Sequence, residues 1–296
     1  MSCETNNIKI TVLNNQVIEV PSASGITKLD DKYYAIGDDS PYLFTLDSEF
    51  MVIEKSAIYP IDDLDYGTFH KKDKPDFETI EIIDNNEMVV FGSGSRSPKR
   101  DIFLRLLWNE SPEFKTYNLT TFYNKLRDLE VLKDEDLNIE ATAYHDKHLY
   151  LFNRGKNVIF NFVYSDLIDF LDDKSAFPIP LITEFNLPKI SGIRYGFSGA
   201  TAFNYKPYIF FTASGENTKN AYNDGVILGS IIGVIPINNN EVSSNFDFVT
   251  IPNAELPLKV ESVSIDAQIS ERETNVILVT DSDGGESILL RCNLKW

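Results

Sequence analysis

The stretch SGITKLDDKYYAIGDD, residues 24–39, decides the fold because its pattern returns four more times along the chain. Each copy begins with a short strand that opens on Ser-Gly or on Glu followed by a small residue, and an apolar strand follows after a turn. Repeats built only from strands are typical of a β-propeller, in which each repeat is one blade. The other four openings are Glu78-Thr79-Ile80-Glu81, Glu140-Ala141-Thr142-Ala143, Ser198-Gly199-Ala200-Thr201 and Glu261-Ser262-Val263-Ser264.

The repeats predict an all-β fold, a five-bladed β-propeller with four-stranded blades, as a single domain over residues 1–296. A blade cannot bury both of its faces without neighbours, which favours one ring over separate domains. The last copy holds only three strands before the sequence ends. The predicted blades span residues 24–60, 78–120, 140–186, 198–252 and 261–294.

The strand missing from the last blade is expected at the other end of the chain, in residues 7–14. Apolar and polar side chains alternate over Ile8–Leu13, as they do in a half-buried strand. As the outer strand of the last blade, this segment would close the ring. Cys3 would then lie near Cys292, and we leave open whether the two thiols pair, since a disulfide needs Cα atoms within about 7 Å.

The composition excludes several classes of partner. Asp and Glu number 45 against 27 Lys and Arg, and the resulting net charge of −18 repels nucleic acids and anionic membranes. No run of about 18 apolar residues is present, so no membrane span is expected. The first residues lack the basic and apolar regions of a secretory signal, which predicts a cytoplasmic protein or an exported one whose signal has been removed.

Three insertions between strands are expected on the faces of the propeller. Residues 62–75 join the first two blades, while residues 120–136 and 165–173 have apolar spacings that indicate short helices. Ser165 is the expected N-cap of the second helix.

Equivalent residues of different blades surround the central channel of a propeller, so acidic residues far apart in sequence can meet there. Glu78, Glu140 and Glu261 begin three inner strands, and Ser24 and Ser198 begin the other two. Oxygen ligands suit Ca²⁺, which takes six to eight of them, whereas Zn²⁺ prefers the His and Cys that this ring lacks. The pattern favours a Ca²⁺ site, although the same residues can also serve the structure alone.

A second ring of polar residues is expected where the second strand of each blade ends. Arginines lie in or beside the same loops, where they can neutralise the glutamates or bind an anionic ligand. Both interpretations stay open. The candidate ligand-binding residues are Asp38, Asp39, Arg96, Asn153, Arg154 and Glu216, and Arg100 lies beside them in sequence.

The blade openings resemble the SdiA-regulated and esterase-like phytase propellers. Residues 24–39 are similar to their first blade, and residues 138–151 are similar to their Glu-Gly-Ile-Ala blade, with Ala141 where the family usually has Gly. The resemblance implies a five-bladed propeller with a calcium site and no assigned reaction. Carried over to this sequence, the implied metal ligands are Glu78, Glu140 and Glu261, with Asp281 as the addition from the second ring.

A more distant resemblance is to gluconolactonase-like propellers, which use a Glu, an Asn and an Asp on a divalent metal to open lactones. Glu140, Asn153 and Asp281 offer those residue types. We therefore expect a propeller that binds a divalent cation, Ca²⁺ in preference, and a small ligand at the channel mouth. A metal-dependent hydrolase of phosphoesters, esters or lactones and a protein-interaction scaffold are the alternatives, so the partner is a small molecule or a protein.

Overall fold

The computed structural model describes residues 8–61, 64, 67–107, 113–190, 192–217, 226–252, 257–281 and 286–296. These residues contain twenty-three strands, of which twenty build five antiparallel blades. The strands up to the third blade are β1 Lys9–Pro21, β2 Ala23–Leu29, β3 Lys32–Gly37, β4 Tyr42–Leu46, β5 Val52–Ala57, β6 Phe77–Ile83, β7 Glu87–Gly92, β8 Ile102–Leu107, β9 Glu113–Asn118, β10 Ile139–His145, β11 His148–Asn153, β12 Val158–Val163 and β13 Leu181–Glu184.

The remaining strands build the last two blades and three short hairpin arms. They are β14 Lys189–Ile190, β15 Ile193–Arg194, β16 Gly196–Phe203, β17 Tyr208–Asn217, β18 Val226–Asn238, β19 Glu241–Val242, β20 Asp247–Thr250, β21 Lys259–Ser270, β22 Glu273–Asp281 and β23 Glu286–Lys295.

The blades follow one another along the chain, each with its inner strand first. The first three are β2 to β5, β6 to β9 and β10 to β13; the fourth contains β16, β17, β18 and β20; the fifth has the order β21-β22-β23-β1. The inner strands contact one another in a closed circle, from β2 through β6, β10, β16 and β21 back to β2. This arrangement confirms the predicted five-bladed propeller with four strands in each blade.

The hydrophobic core is divided among the five interfaces between neighbouring blades. Each interface holds its own cluster of buried apolar side chains, because alternate residues of a strand face opposite neighbours. Phe211, for example, packs between the third and fourth blades, and Ile277 packs between the fifth and the first. Every blade therefore needs both neighbours to cover its apolar faces, which is why the ring must close.

The first strand closes the ring, as predicted, but it is longer than the predicted segment. It pairs antiparallel with β23 in a register that sets Val12 opposite Cys292 and Val17 opposite Ile288. A hydrogen bond also joins the first blade to the last across this closure: the Ala23 backbone N–H donates to the Ser287 hydroxyl at 2.9 Å. Cys292 is buried, and burial raises the pKa of its thiol to about 12. Cys3 lies outside the described residues, so its pairing with Cys292 stays a prediction.

Tight turns between inner and second strands use residues that tolerate positive φ. Asp84 and Asn85 turn β6 into β7 with φ of 47° and 59°, and Asp146 and Lys147 turn β10 into β11 with φ of 45° and 68°. Two successive residues in this conformation give a turn whose twist matches that of the flanking strands. The turn chemistry of the repeat therefore sets the register of each hairpin.

Both predicted helical insertions contain helices. The first holds α1, Thr120–Arg127, and a 3-10 helix, Glu130–Leu132; the second holds α2, Tyr164–Leu171. The predicted cap was wrong, because α2 begins one residue before Ser165 with Val163 at the N-cap. Tertiary contacts fix this start: the Tyr164 hydroxyl binds the Glu87 carboxylate in the second blade. In the described part of the chain, neither helix has the length and apolar character to cross a bilayer.

Candidate functional site

A β-bulge occurs at the same place in all five inner strands. In β6, for example, Phe77 pairs with Gly92 and Thr79 pairs with Phe91, so Glu78 is the extra residue. A bulge redirects the side chain of its extra residue and interrupts the ladder locally. The five extra residues are the ring positions predicted from the sequence: Ser24, Glu78, Glu140, Ser198 and Glu261. They mark one end of the inner strands, which we call the channel mouth.

The two serines of this ring tie neighbouring blades together. The Ser24 hydroxyl donates to the Phe77 carbonyl at 2.5 Å, and the Ser198 hydroxyl donates to the Val260 carbonyl at 2.6 Å. Each acceptor immediately precedes the bulge of the next blade. The serines are therefore used by the backbone, and only the glutamates of the ring carry charge into the channel mouth.

One of the three ring glutamates, Glu78, meets two aspartates. Carboxylate oxygens of Asp38, Asp76 and Glu78 all lie within 4.8 Å of one another, and the described residues hold no other group of three His, Cys, Asp or Glu side chains that converges this closely. Lys74 contacts Asp38 and lies 2.8 Å from Asp76 Oδ1. Arg100 binds the other oxygen of Asp76 at 2.5 Å. We call these five residues the Asp76 cluster.

The other two ring glutamates are paired with basic side chains in what we call the Arg154 cluster. Arg154 lies 3.2 Å from Glu140 Oε2, 3.1 Å from Glu216 Oε1 and 4.0 Å from Glu261 Oε2. Lys259 lies 3.1 Å from Glu216 Oε1 and 2.9 Å from Glu261 Oε1. Two cations thus bridge three carboxylates, and a role of Glu140 and Glu261 as metal ligands stays a prediction.

Crowding of carboxylates shifts several pKa values at the channel mouth. Burial raises the pKa of Glu78 well above its ordinary value, and the charges of Asp76, Glu140 and Asp38 raise it further. Burial and the neighbouring Asp38 raise the pKa of Asp39 to about 6. Burial raises the pKa of Glu140 to about 7, while Arg154 acts in the opposite direction. Burial therefore disfavours the ionised form of these carboxylates, and the like charges of their neighbours add to this effect.

The predicted ligand-binding residues lie in three different situations. Asp38 belongs to the Asp76 cluster, and Arg154 and Glu216 belong to the Arg154 cluster. Asp39 adjoins the Asp76 cluster, and its Oδ1 is buried without a hydrogen-bond partner among the described residues. Asp281, predicted as a metal ligand, is half-buried and lies opposite Lys259 in the β21–β22 register, at the edge of the Arg154 cluster, and its role as a ligand stays a prediction.

Asn153 serves the backbone. Its side-chain oxygen accepts the Asn138 N–H at 2.6 Å, and its amide nitrogen donates to the Asp136 carbonyl at 3.3 Å. This bond fixes the backbone two residues before Glu140. The amide that the gluconolactonase resemblance offers to a metal is therefore already used at both ends.

Arg100, and not the predicted Arg96, is the arginine of the loop after β7 that contacts the Asp76 cluster. Arg96, which the sequence analysis favoured, is exposed, whereas Arg100 four residues later is buried. The Arg100 guanidinium binds Asp76 and donates to the Ser95 hydroxyl at 2.8 Å. The loop after β7 turns back on itself, with the Gly94 N–H donating to the Arg100 carbonyl, and this turn carries the later arginine inward.

Three residues of the site were missed by sequence reasoning: Asp76, Lys259 and Lys74. Asp76 and Lys259 stand two positions before the ring residues Glu78 and Glu261, a spacing that the repeat alignment contains. Lys74 lies in the segment between the first two blades, where no repeat pattern applies.

Gly196, which stands two positions before the ring residue Ser198, makes room for Arg154. A Cβ atom on Gly196 would lie 2.6 Å from Arg154 Cγ, so the arginine stem passes directly over the glycine. Arg154 itself follows β11 at the position where Asp38 follows β3. The repeat therefore places a cation of one blade where another blade has a carboxylate.

The chain belongs to a family of unknown function, DUF6929, whose sequence model matches residues 19–294. No curated protein matches it. Among solved structures it is similar to the glutaminyl cyclase of Myxococcus xanthus, at 8% identity and a TM-score of 0.55, over 97% of this chain and 96% of that one. It is also similar to the tail fiber of Staphylococcus aureus phage P68 (11% identity, TM-score 0.45, over 99% and 54% of the two chains) and to hydrazine synthase of Kuenenia stuttgartiensis (9%, 0.42, over 90% and 58%). At these identities the likeness concerns the fold alone, and the resemblance to SdiA-regulated and phytase propellers stays a prediction.

Proposed function

We propose that this member of a family of unknown function binds a divalent cation, Ca²⁺ in preference, at the mouth of its central channel. The ligands are the carboxylates of Asp38, Asp76 and Glu78. The observation that carries the proposal is the convergence of their oxygens within 4.8 Å of one another. The resemblance to SdiA-regulated propellers implies a calcium site at Glu78, Glu140, Glu261 and Asp281, and the proposed site shares only Glu78 with that set.

The charges of the Asp76 cluster support a cation. Three carboxylates, with Asp39 adjoining as a fourth, are paired with two cationic side chains, Lys74 and Arg100. A raised carboxyl pKa means that the ionised form is unfavourable at that place, and a nearby positive charge reverses this effect. We find no hydrogen bond or ion pair from the Glu78 carboxylate to the described residues, so its oxygens are available to a cation.

The type of donor favours Ca²⁺. The converging ligands are all oxygens, and Ca²⁺ accepts six to eight of them in flexible geometries, while Mg²⁺ requires a near-ideal octahedron. Three carboxylates leave coordination positions for water or for oxygen atoms of a small ligand. Because Glu140 is paired and Asn153 is used by the backbone, we propose binding of cation and small ligand without assigning a hydrolytic reaction.

Calorimetric titration of the chelator-treated protein with CaCl₂ tests this proposal, together with the change in Tm. We expect saturable binding and a rise in Tm, since a ligand that binds only the folded state stabilises it. Glu78→Gln should weaken binding by at least about tenfold, because it removes a charged ligand without changing the shape of the side chain.

Glu81→Gln is the matched control, since Glu81 is a buried carboxylate on the same strand, β6, outside the converging group. This variant should bind Ca²⁺ like the wild type. An absence of heat and of any Tm shift in the wild type would refute the proposal, as would equal Ca²⁺ affinity in Glu78→Gln and the wild type.

A further inference from the structure

We propose that Lys74 is an internal cation that occupies the divalent site and leaves it when a metal ion binds. This inference rests on the proposed function, and it adds regulation to the same site: Ca²⁺ and the Lys74 ammonium bind in exchange. Lys74 contacts Asp38 and Asp76, two of the three carboxylates assigned to Ca²⁺. Its ammonium is therefore placed where the metal ion would be.

The second cation of the cluster, Arg100, is part of the frame and does not exchange. It binds only Oδ2 of Asp76, the oxygen opposite the one that Lys74 uses. It also donates to Ser95, and its own carbonyl accepts the Gly94 N–H. A planar guanidinium held by several directed bonds fixes one geometry, whereas an ammonium on a flexible stem is a mobile point charge.

The segment that carries Lys74 is anchored on both sides of this residue. The Phe69 N–H donates to the Asp39 carbonyl at 2.7 Å, and the Phe69 ring packs against Tyr59 at 6.0 Å. Lys99 binds Asp73, the residue before Lys74, and Phe77 begins β6 three residues after it. The Lys74 side chain can therefore swing out of the cluster while the backbone that holds Asp76 keeps its place.

Electrostatics makes the two cations mutually exclusive. The Lys74 side chain is only 12% exposed, so water screens its charge weakly. Two positive charges about 4 Å apart in such surroundings repel each other strongly. A divalent ion can enter only if the ammonium departs, and the cost of that departure lowers the affinity of the wild type for Ca²⁺.

Lysine labelling measures the exchange directly. The native protein would be treated with an acetylating reagent with and without CaCl₂, and the modification of each lysine would be quantified by mass spectrometry. We expect Lys74 to be protected without Ca²⁺ and labelled several-fold more in its presence. Lys259 is the internal control, because its side chain is also 12% exposed and also bridges two carboxylates, those of Glu216 and Glu261 in the Arg154 cluster.

A second measurement uses substitutions of Lys74. Lys74→Met removes the competing charge and keeps the length of the stem, so Ca²⁺ should bind on the order of tenfold more tightly. Lys74→Arg keeps the charge and should not show this gain. If loss of the ion pairs unfolds the methionine variant, the labelling of wild-type Lys74 still decides the question.

The outcomes separate the two proposals. Saturable Ca²⁺ binding with Lys74 still protected, or with unchanged affinity in Lys74→Met, would overturn the exchange and leave the cation site standing. Tight binding to Lys74→Met with none to the wild type would support Lys74 as the occupant and refute the proposed function of the natural chain. An absence of Ca²⁺ binding in both proteins would refute both proposals.

Discussion

Asp266, between the last and first blades, and Asp76, at the channel mouth, are both buried aspartates that bind two cationic side chains. Asp266 on β21 accepts from Lys28 at 3.2 Å, lies 3.0 Å from Arg291 Nε, and accepts the Tyr33 hydroxyl. We call these four residues the seam cluster. The Arg291 guanidinium also lies 4.8 Å from the centre of the Phe50 ring.

The two clusters differ in the balance of their charges. In the seam cluster one carboxylate serves two cations and a phenol, and no second carboxylate bonds to Lys28, Tyr33 or Arg291 among the described residues. In the Asp76 cluster carboxylates outnumber cations, and the pKa values of Glu78 and of the adjoining Asp39 are raised by burial and further by the neighbouring carboxylates. A balanced buried cluster stabilises the fold, whereas an excess of one sign is stabilised further by a ligand of the other sign. The same chemical groups thus point to structure at the seam and to binding at the mouth.

The largest expected effect comes from breaking the seam cluster. Asp266→Ala leaves Lys28 and Arg291 without their counter-charge across the closure of the ring, which should lower the free energy of unfolding by about 3 kcal/mol. Urea denaturation measures this loss. Asp247→Ala, at an exposed position of β20, should change the free energy by less than about 0.5 kcal/mol. Ca²⁺ affinity should be unchanged in folded Asp266→Ala; a loss of affinity with unchanged stability would reverse the comparison.

Repeats in the sequence were sufficient to predict the blades, the closing strand and the five-membered ring. These features depend on local alternation and on equivalent positions in successive copies, and both are visible in one chain. The structure bears out this equivalence, since Glu78, Glu140 and Glu261 are each the extra residue of the bulge at the same position of their inner strands. What the repeats did not show was which side chain pairs with each glutamate.

The partners could be predicted only in part: Asp38, Arg154 and Glu216 were candidates, but no pattern in the sequence said which of them pairs with which glutamate. Lys74 enters from an insertion, and Glu216 is carried past the end of the blade by the long strand β17. Arg100 was a candidate beside Arg96, but only the fold of its loop turns one inward and leaves the other exposed. Which charged side chains pair across the channel depends on the distances between blades, and the order of residues in a single sequence does not show these distances.

Glu81 is a buried carboxylate with no ion pair to a cation among the described residues, and the pH dependence of stability can test it against the two clusters. Burial raises its pKa to about 8 in the folded protein from an ordinary value of 4.5. The folded state therefore keeps a proton that the unfolded chain releases, and the free energy of unfolding falls as pH rises from about 4.5 to about 8. Glu81→Gln is neutral in both states, so it should remove this loss and be more stable than the wild type at pH 8, by at least about 2 kcal/mol.

Denaturation of both proteins between pH 5 and pH 8 measures this difference, and the two curves should approach each other toward pH 5. Glu54→Gln, which changes an exposed glutamate on β5, should follow the wild-type curve throughout. If the free energy of unfolding changes with pH in the same way for Glu81→Gln and the wild type, Glu81 is ionised in the folded protein. Burial alone would then be insufficient to raise a carboxyl pKa in this fold, including at the channel mouth.

The smallest expected effect concerns the space that Gly196 gives to Arg154. Gly196→Ala places a Cβ atom where the arginine stem passes, so Arg154 must move away from Glu140 and Glu216, and stability should fall by about 1–2 kcal/mol. The control is a double-mutant cycle, because in an Arg154→Ala background the same alanine meets no stem and should cost little. Additive losses in the cycle would show that Gly196 acts on the backbone of β16 instead. If the two substitutions are coupled in their effect on stability and Ca²⁺ affinity does not change, the Arg154 cluster is a structural pairing of charges like the seam cluster. The Asp76 cluster is then the part of the channel mouth that binds Ca²⁺.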